Sequence, residues 1–351
     1  MNATLQCLCH IEKFVNFFKY NPEDVNFSQK EPDNLKYSFK ILIDKLWPDN
    51  YDDPYFKDKY YAPEEFKKKI SKMNPLFEGI AANDAKDLVN FIIMTLHQEL
   101  NKVKNNTNLN QNLIDQRNQL YVFNNFVQNF NANNQSIISE LFYAINCNIT
   151  QCGNCNTQLY NYQVYFFIVF PLEEVRKFKL SQFNNFNNNF NYNNFIYNFN
   201  NNVNEVTIYE CFEYDRKINF MTGENSMYCN YCKNTCNCSM CTNLITGPEI
   251  LILLLNRGQG IEFNVKINFV ENLNLYNYIE LKDTGYNYKL IWVITHIGES
   301  SISGHFIAYC KDPISGLWHK YNDAIVNEVS NFQNEVINFA MPYLLFYQKI
   351  K

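Results

Sequence analysis

Ser303-Gly304-His305-Phe306-Ile307-Ala308-Tyr309, followed by Trp318-His319-Lys320-Tyr321-Asn322-Asp323, decides how this chain is read. Both runs have the apolar or alternating pattern of short strands, and the second ends in an Asn-Asp turn signal. A strand histidine is ordinarily unremarkable, but the flanking residues lift this one. Gly304 lets backbone, or a thin substrate, pass close beside the imidazole. Asn322 or Asp323, at the end of the next strand, stands where a partner for the second ring nitrogen would fix the tautomer of His305. These residues make two thirds of a Cys-His-Asn/Asp nucleophilic triad.

Working outward, the rest of the second half also reads as strands, with short apolar or alternating runs at 158–169, 249–255, 289–295, 306–311, 318–321 and 343–349. The first third reads as helices. Leu5, Leu8, Ile11, Phe14, Val15 and Phe18 recur at helical spacing and predict one helix over 3–20. Leu88, Ile92, Leu96 and Leu100 form an i, i+4 row of a second helix over 84–100, and Pro63-Glu64-Glu65 marks a further helix start. Residues 101–118 read as a loop. Residues 184–204 hold 13 Asn in 21 positions, a composition that buries little, and are read as a disordered insertion within one domain.

The 351 residues suffice for a sizeable core, and 17% aromatics supply its apolar area. The 58 Asn look like a coding bias laid over a globular sequence, so composition alone overstates disorder. A net charge of -5 argues against a nucleic-acid binder, which carries a basic excess. No apolar run approaches the roughly 18 residues of a membrane span, and the start at Met1 has no secretory pattern. Reducing cytosol or nucleus is the expected compartment, where clustered cysteines bind metal or do chemistry.

Cys152-Gly153-Asn154-Cys155 and Cys229-Asn230-Tyr231-Cys232 are two CxxC units. Each sets two sulfurs on one side of a tight knuckle, and two knuckles complete a tetrahedral thiolate site suited to structural zinc. The 73 residues between them imply a ribbon whose strands belong to a larger sheet. Cys236, Cys238 and Cys241 follow closely and are open to three roles: swapping into the site, holding a second ion, or standing as reduced thiols.

Taken together, these motifs resemble the ubiquitin-specific protease family, papain-like cysteine peptidases that remove ubiquitin, over essentially the whole chain. Residues 303–309 with 321–326 resemble its His box, and 343–349 its closing strand. Residues 223–232 followed by 248–257 resemble its fingers and the strand after them, and 83–88 with 96–100 the box whose acidic residue meets the ubiquitin tail. The resemblance implies an α+β fold of the papain-like superfamily in a single domain over 1–351. A helical thumb is expected over 1–135, zinc-ribbon fingers over 136–262 and a mixed palm sheet over 263–351. It also implies His305, Asn322 and Asp323 as catalytic, and Asp84, Gly304 and Phe306 as substrate-binding. Cys152, Cys155, Cys229 and Cys232 are implied as zinc ligands, and ubiquitin or its conjugates as partner, the chain acting as a monomer.

The nucleophile is the departure. The family's Cys box runs Asn-x-x-x-x-Cys-Tyr-Met-Asn into Leu-Gln-Cys-Leu, whereas this chain begins Met1-Asn2-Ala3-Thr4-Leu5-Gln6-Cys7-Leu8. The nucleophilic cysteine is therefore expected two residues before Met1. Cys7 and Cys9 sit too far along the helix, on the order of 10 Å from the required point for Cys7. Two readings follow. One is a deubiquitinating cysteine protease whose nucleophile lies upstream of Met1; the alternative is a catalytically inactive ubiquitin-binding pseudo-enzyme.

Overall fold

Apolar spacing in the first hundred residues does build helices, at Asn2–Leu8, Glu12–Tyr20, Leu35–Leu46, Glu64–Met73 and Ala85–Leu100. The stripe expected as one helix over 3–20 is broken in two at Cys9 to Ile11, where Ile11 turns to extended backbone. Side chains satisfy the carbonyls freed by the break. His10 Nδ1 meets the Gln6 carbonyl at 2.6 Å, and Trp47 Nε1 donates to the Cys9 carbonyl at 2.6 Å. Phe14, Phe18, Phe39 and Phe66 are buried together, their neighbouring ring centroids 5.0–6.0 Å apart. The Leu88, Ile92, Leu96 and Leu100 row is buried as its spacing requires.

This computed structural model describes residues 1–26, 33–48, 61–79, 83–103, 115–187, 204–258, 264–298, 304–338 and 341–350. They fall into two units. The first comprises Met1–Lys102, Gln135–Glu140 and Ile291–Leu344; the second comprises Val103–Asn134, Leu141–Leu290 and Leu345–Lys351.

In the first unit the helices accompany antiparallel strands at His305–Lys311, Trp318–Asn322 and Ile325–Glu328, which follow the strand Asn287–Ile297. The register pairs Ile297 with His305, Ala308 with Tyr321, and Asn322 with Ile325. The start of the His305 strand and the end of the Asn322 strand therefore share one end of the sheet.

In the second unit, Ala144–Cys152 pairs antiparallel with Gln158–Tyr165 on one side and Cys238–Leu244 on the other. The helix Gln119–Asn133 covers this hairpin, with Val122, Phe123, Phe126 and Val127 packed against Ile145, Cys147, Tyr162 and Ile245. The strand expected over 158–169 is two strands. Gln158–Tyr165 serves the hairpin sheet, whereas Ile168–Pro171 pairs parallel with the second half of Ile250–Asn256, Ile168 opposite Leu253 and Pro171 opposite Asn256. One apolar run thus feeds two sheets, a division that composition cannot show. The helix Leu172–Asn187 reaches into the Asn-rich run, so its first residues are helical; 188–203, like 104–114 of the expected loop, lie outside the described residues. Among the described residues, no helix is long and apolar enough to cross a membrane.

Candidate active site and candidate metal site

The turn after the Asn322 strand brings the polar groups of the first unit together. Asp323 adopts φ 51, the left-handed conformation that Asp and Asn tolerate better than other residues with a side chain. Asn322 Oδ1 lies 2.7 Å from His305 Nε2, and Asp323 Oδ2 lies 3.6 Å from the same nitrogen. A carboxamide oxygen only accepts, so Nε2 carries the hydrogen and donates it, leaving the lone pair of the neutral ring on Nδ1. His305 is well exposed and lines a groove, where a reactant could reach the ring. Asn2 Nδ2 donates to Asp323 Oδ1 at 2.7 Å, tying the first helix to the turn.

A groove of about 640 Å³ runs past these groups, lined by Met1, Asn2, Asp84, Gly304, His305 and Asp323 among others. None of the described residues lining it is a cysteine. Cys7 is fully buried with its sulfur 3.9 Å from that of Cys310, and burial pushes the Cys9 thiol far up. Neither has the exposed, thiolate-favouring surroundings of a nucleophile.

Asp84 is placed by three contacts. It caps the helix Ala85–Leu100 by accepting from the Lys86 amide at 2.9 Å, lies 3.3 Å from Lys86 Nζ, and accepts from the Tyr343 hydroxyl at 2.7 Å. The Tyr343 ring in turn packs on Phe306, with centroids 5.3 Å apart. Burial, with help from the Asp84 charge, holds the Tyr343 phenol strongly protonated, so it remains a donor. Gly304 has a reason beyond substrate passage, since a Cβ there would run into the buried His296 ring and the Ile297 carbonyl.

Behind the site, His10 Nε2 stands 3.0 Å from the Tyr321 hydroxyl, one residue before Asn322. With its Nδ1–H given to the Gln6 carbonyl, His10 must accept from Tyr321. Burial pushes His10 down to about 4, against weaker raising effects of the Gln6 carbonyl and Asp312. An unfolded histidine titrates near 6.5, so between about pH 4 and 6.5 the unfolded chain binds the extra proton. The contribution of His10 to stability is therefore complete above that window and lost as pH falls through it, by about 3 kcal/mol in all. Compared with His10→Gln in urea titrations, the parent is expected to lose about 3 kcal/mol more between pH 7 and pH 4. Equal losses would show that His10 is not held neutral.

The cysteine knuckles lie in the second unit. Cys152 ends one strand and Cys229 another, and each CxxC turn closes with a left-handed residue, Asn156 at φ 56 and Lys233 at φ 54. Gly153 is required by close approach, because its amide donates to the Asn237 carbonyl at 2.8 Å and a Cβ would meet that same oxygen at 2.6 Å. The sulfurs of Cys152, Cys155, Cys229 and Cys232 lie within 4.8 Å of one another. Cys152 to Cys232 is 3.9 Å and Cys155 to Cys229 is 3.7 Å. Four thiolates about 2.3 Å from a tetrahedral zinc stand about 3.8 Å apart, so this set fits such an ion. Amide contacts, that of Cys155 foremost, hold the Cys152 thiol down to about 6, which favours the ligating thiolate. Arg117 stacks over the Tyr231 ring at 4.5 Å, and the Tyr231 hydroxyl donates to Asp115 at 3.2 Å, bracing the second knuckle.

The ubiquitin carboxyl-terminal hydrolase family matches the chain over residues 1–347. The chain belongs to this family. Among ubiquitin carboxyl-terminal hydrolases, Usp2 of Drosophila melanogaster is 23% identical over 99% of this chain and 34% of its own length. Ubiquitin carboxyl-terminal hydrolase 2 of Homo sapiens is 24% identical over 99% of this chain and 53% of its own length. This chain thus spans between a third and about half of these relatives. In solved structures, the yeast SAGA DUB module matches with TM-score 0.66 and 19% identity, covering 100% of this chain and 66% of that one. The SAGA Ubp8/Sgf11/Sus1/Sgf73 DUB module bound to ubiquitin aldehyde matches with TM-score 0.66 and 20% identity, covering 100% and 67%. Together with the family match, these likenesses bear out the papain-like α+β fold.

Against that family background, the residues singled out from sequence fall into two groups. His305, Asn322, Asp323, Asp84, Gly304 and Phe306 gather at the groove or its wall, and the four cysteines gather in one cluster. Sequence reasoning missed Asn2, His10, Tyr321 and Tyr343. Asn2 had a signal, as it matches the Asn that ends the family's Cys-Tyr-Met-Asn. The others carry no local signal, and only tertiary contact reveals them.

Proposed function

We propose that this chain is the catalytic domain of a cysteine-type deubiquitinase, hydrolysing the bond after the C-terminal glycine of ubiquitin in protein conjugates. One observation carries the reading: His305 is oriented by Asn322 at 2.7 Å with its Nδ1 left as the base, in a groove whose lining also includes Met1 and Asn2. The nucleophile is the cysteine that the family's Cys-Tyr-Met-Asn box sets two residues ahead of the position held here by Met1.

In this mechanism His305 Nδ1 takes the thiol proton and the thiolate adds to the carbonyl of the terminal glycine. As the bond to the lysine amine breaks, His305 protonates the departing nitrogen. Water then enters, gives its proton to His305, and releases the carboxylate from the thioester. Asn322 steers the imidazole without adding charge, and Asp323 stabilises the imidazolium at 3.6 Å. Asp84, Gly304 and Phe306 border the path of the tail. A SAGA DUB module caught with ubiquitin aldehyde supports ubiquitin as the partner of this fold. The four-cysteine cluster holds zinc in a purely structural role.

The test is covalent capture by ubiquitin carrying a C-terminal electrophile. Residues 1–351 are expected to give no adduct, and the same chain preceded by a family-type segment ending in Cys-Tyr to give a stoichiometric one. An adduct with residues 1–351 would overturn the placement of the nucleophile. Failure of both forms would overturn the deubiquitinase reading.

A further inference from the structure

The cysteine cluster has a fifth member that does not fit as a ligand. Cys236 Sγ lies 3.1 Å from Cys152 Sγ, shorter than the roughly 3.8 Å edge of a tetrahedral thiolate site. Nor is it one of the four sulfurs that lie within 4.8 Å of one another. A disulfide needs about 2.05 Å, so these two sulfurs must approach by only about 1 Å. Cys236 is half-buried at the end of the strand Asn234–Cys236, opposite Met227 in the hairpin of the second knuckle. Its neighbours are placed differently. Cys238 is buried with its sulfur turned to the Cys236 carbonyl at 3.5 Å, and Cys241 stands opposite Ile149 further along the sheet.

We propose that Cys236 is the resolving thiol of an oxidation-sensitive metal site: peroxide converts Cys152 and Cys236 to a disulfide, and the metal leaves. The proposal rests on the reading that the four-cysteine cluster holds zinc. The Cys152 thiolate attacks a peroxide oxygen, the O–O bond breaks, and Cys152 becomes a sulfenic acid while hydroxide departs and is protonated to water. The Cys236 thiol then attacks the Cys152 sulfur, forming the S–S bond and passing its proton to the departing hydroxide, which leaves as a second water. Two thiols have lost two electrons and two protons, and one peroxide has become two waters. The ion keeps three thiolates and loses its closed tetrahedron. The bond would join the first knuckle to the hairpin of the second, so the oxidised cluster stays together without metal and a dithiol reductant restores the ligand set.

The purified 351-residue chain, zinc-loaded under anaerobic conditions, is titrated with hydrogen peroxide while a chromophoric chelator reports released metal and mass mapping reports pairing. The expected result is one Cys152–Cys236 disulfide per zinc released. Cys236→Ser and Cys236→Ala are expected to slow release on the order of tenfold, and Cys238→Ser to release at the parent rate. Parent-rate release from both Cys236 variants, or disulfides that exclude Cys236, would overturn the proposal. A chain that takes up no zinc would refute the zinc reading instead, and peroxide mapping of that metal-free chain would then decide the Cys152–Cys236 pair by itself.

Discussion

In a chain extended to place Cys-Tyr before Met1, His305→Ala is expected to lower kcat/KM toward a ubiquitin C-terminal amide on the order of a thousandfold or more. Two functions are lost with one ring: deprotonation of the thiol and protonation of the departing amine, each worth about 10²-fold or more. Asn322→Ala is expected to act more mildly, by about 10–10²-fold, because the ring remains but loses the 2.7 Å acceptor that fixes its tautomer. Asn322→Asp should recover most of that loss, since a carboxylate also accepts from Nε2. The two effects separate in pH profiles of electrophile capture. Without the imidazole, the thiol reverts toward an ordinary pKa near 8.5, and capture should rise through that region instead of near neutrality. An alanine at 305 that leaves both rate and profile unchanged would remove His305 from the mechanism.

How much of this was legible in the sequence depends on how local the determining interaction is. The Leu88 to Leu100 row declares itself by period, because one buried face dictates it, and the strand bearing His305 by its apolar run Ile307 to Cys310, buried on both faces. The knuckles declare themselves by spacing, because a tight turn between two ligands is a local requirement. What sequence could not show are choices made by distant partners. The break at Cys9 depends on Trp47 reaching its carbonyl from 38 residues away. Gly304 looks like an opening for substrate until His296, eight residues earlier, is found beneath it. Cys236, Cys238 and Cys241 are indistinguishable by composition and separate only when one sulfur is seen to touch Cys152. The short strands between 205 and 236 escaped detection because three residues apiece are too few to show a period.

Removal of the metal is expected to melt the knuckle end of the second unit. The hairpin of Met227–Cys229 and Asn234–Cys236 has three residues per strand, nearly all exposed, with Cys229 the buried exception. Such a ribbon buries too little to stand alone, and an isolated two-stranded hairpin is marginal even when longer. Its hold on the rest comes mainly through Cys229 and Cys232, facing Cys152 and Cys155 at the end of the strand Ala144–Cys152, with the exposed Tyr231 contacts to Arg117 and Asp115 as a lesser brace. Zinc in small thiolate sites contributes on the order of 10 kcal/mol to folding. Here the sheet is also held by the Ile145, Cys147, Tyr162 and Ile245 core under the helix Gln119–Asn133, so the loss should stay local. After chelation, or in Cys229→Ser, hydrogen exchange is expected to lose all protection over 223–238 while 144–150 and 158–165 keep theirs. Acid should act like a chelator, because protons compete with the metal for thiolates. A metal-stripped chain whose 223–238 amides remain protected would show that the knuckles fold on side-chain packing alone, and the bracing role of the ion would have to be abandoned.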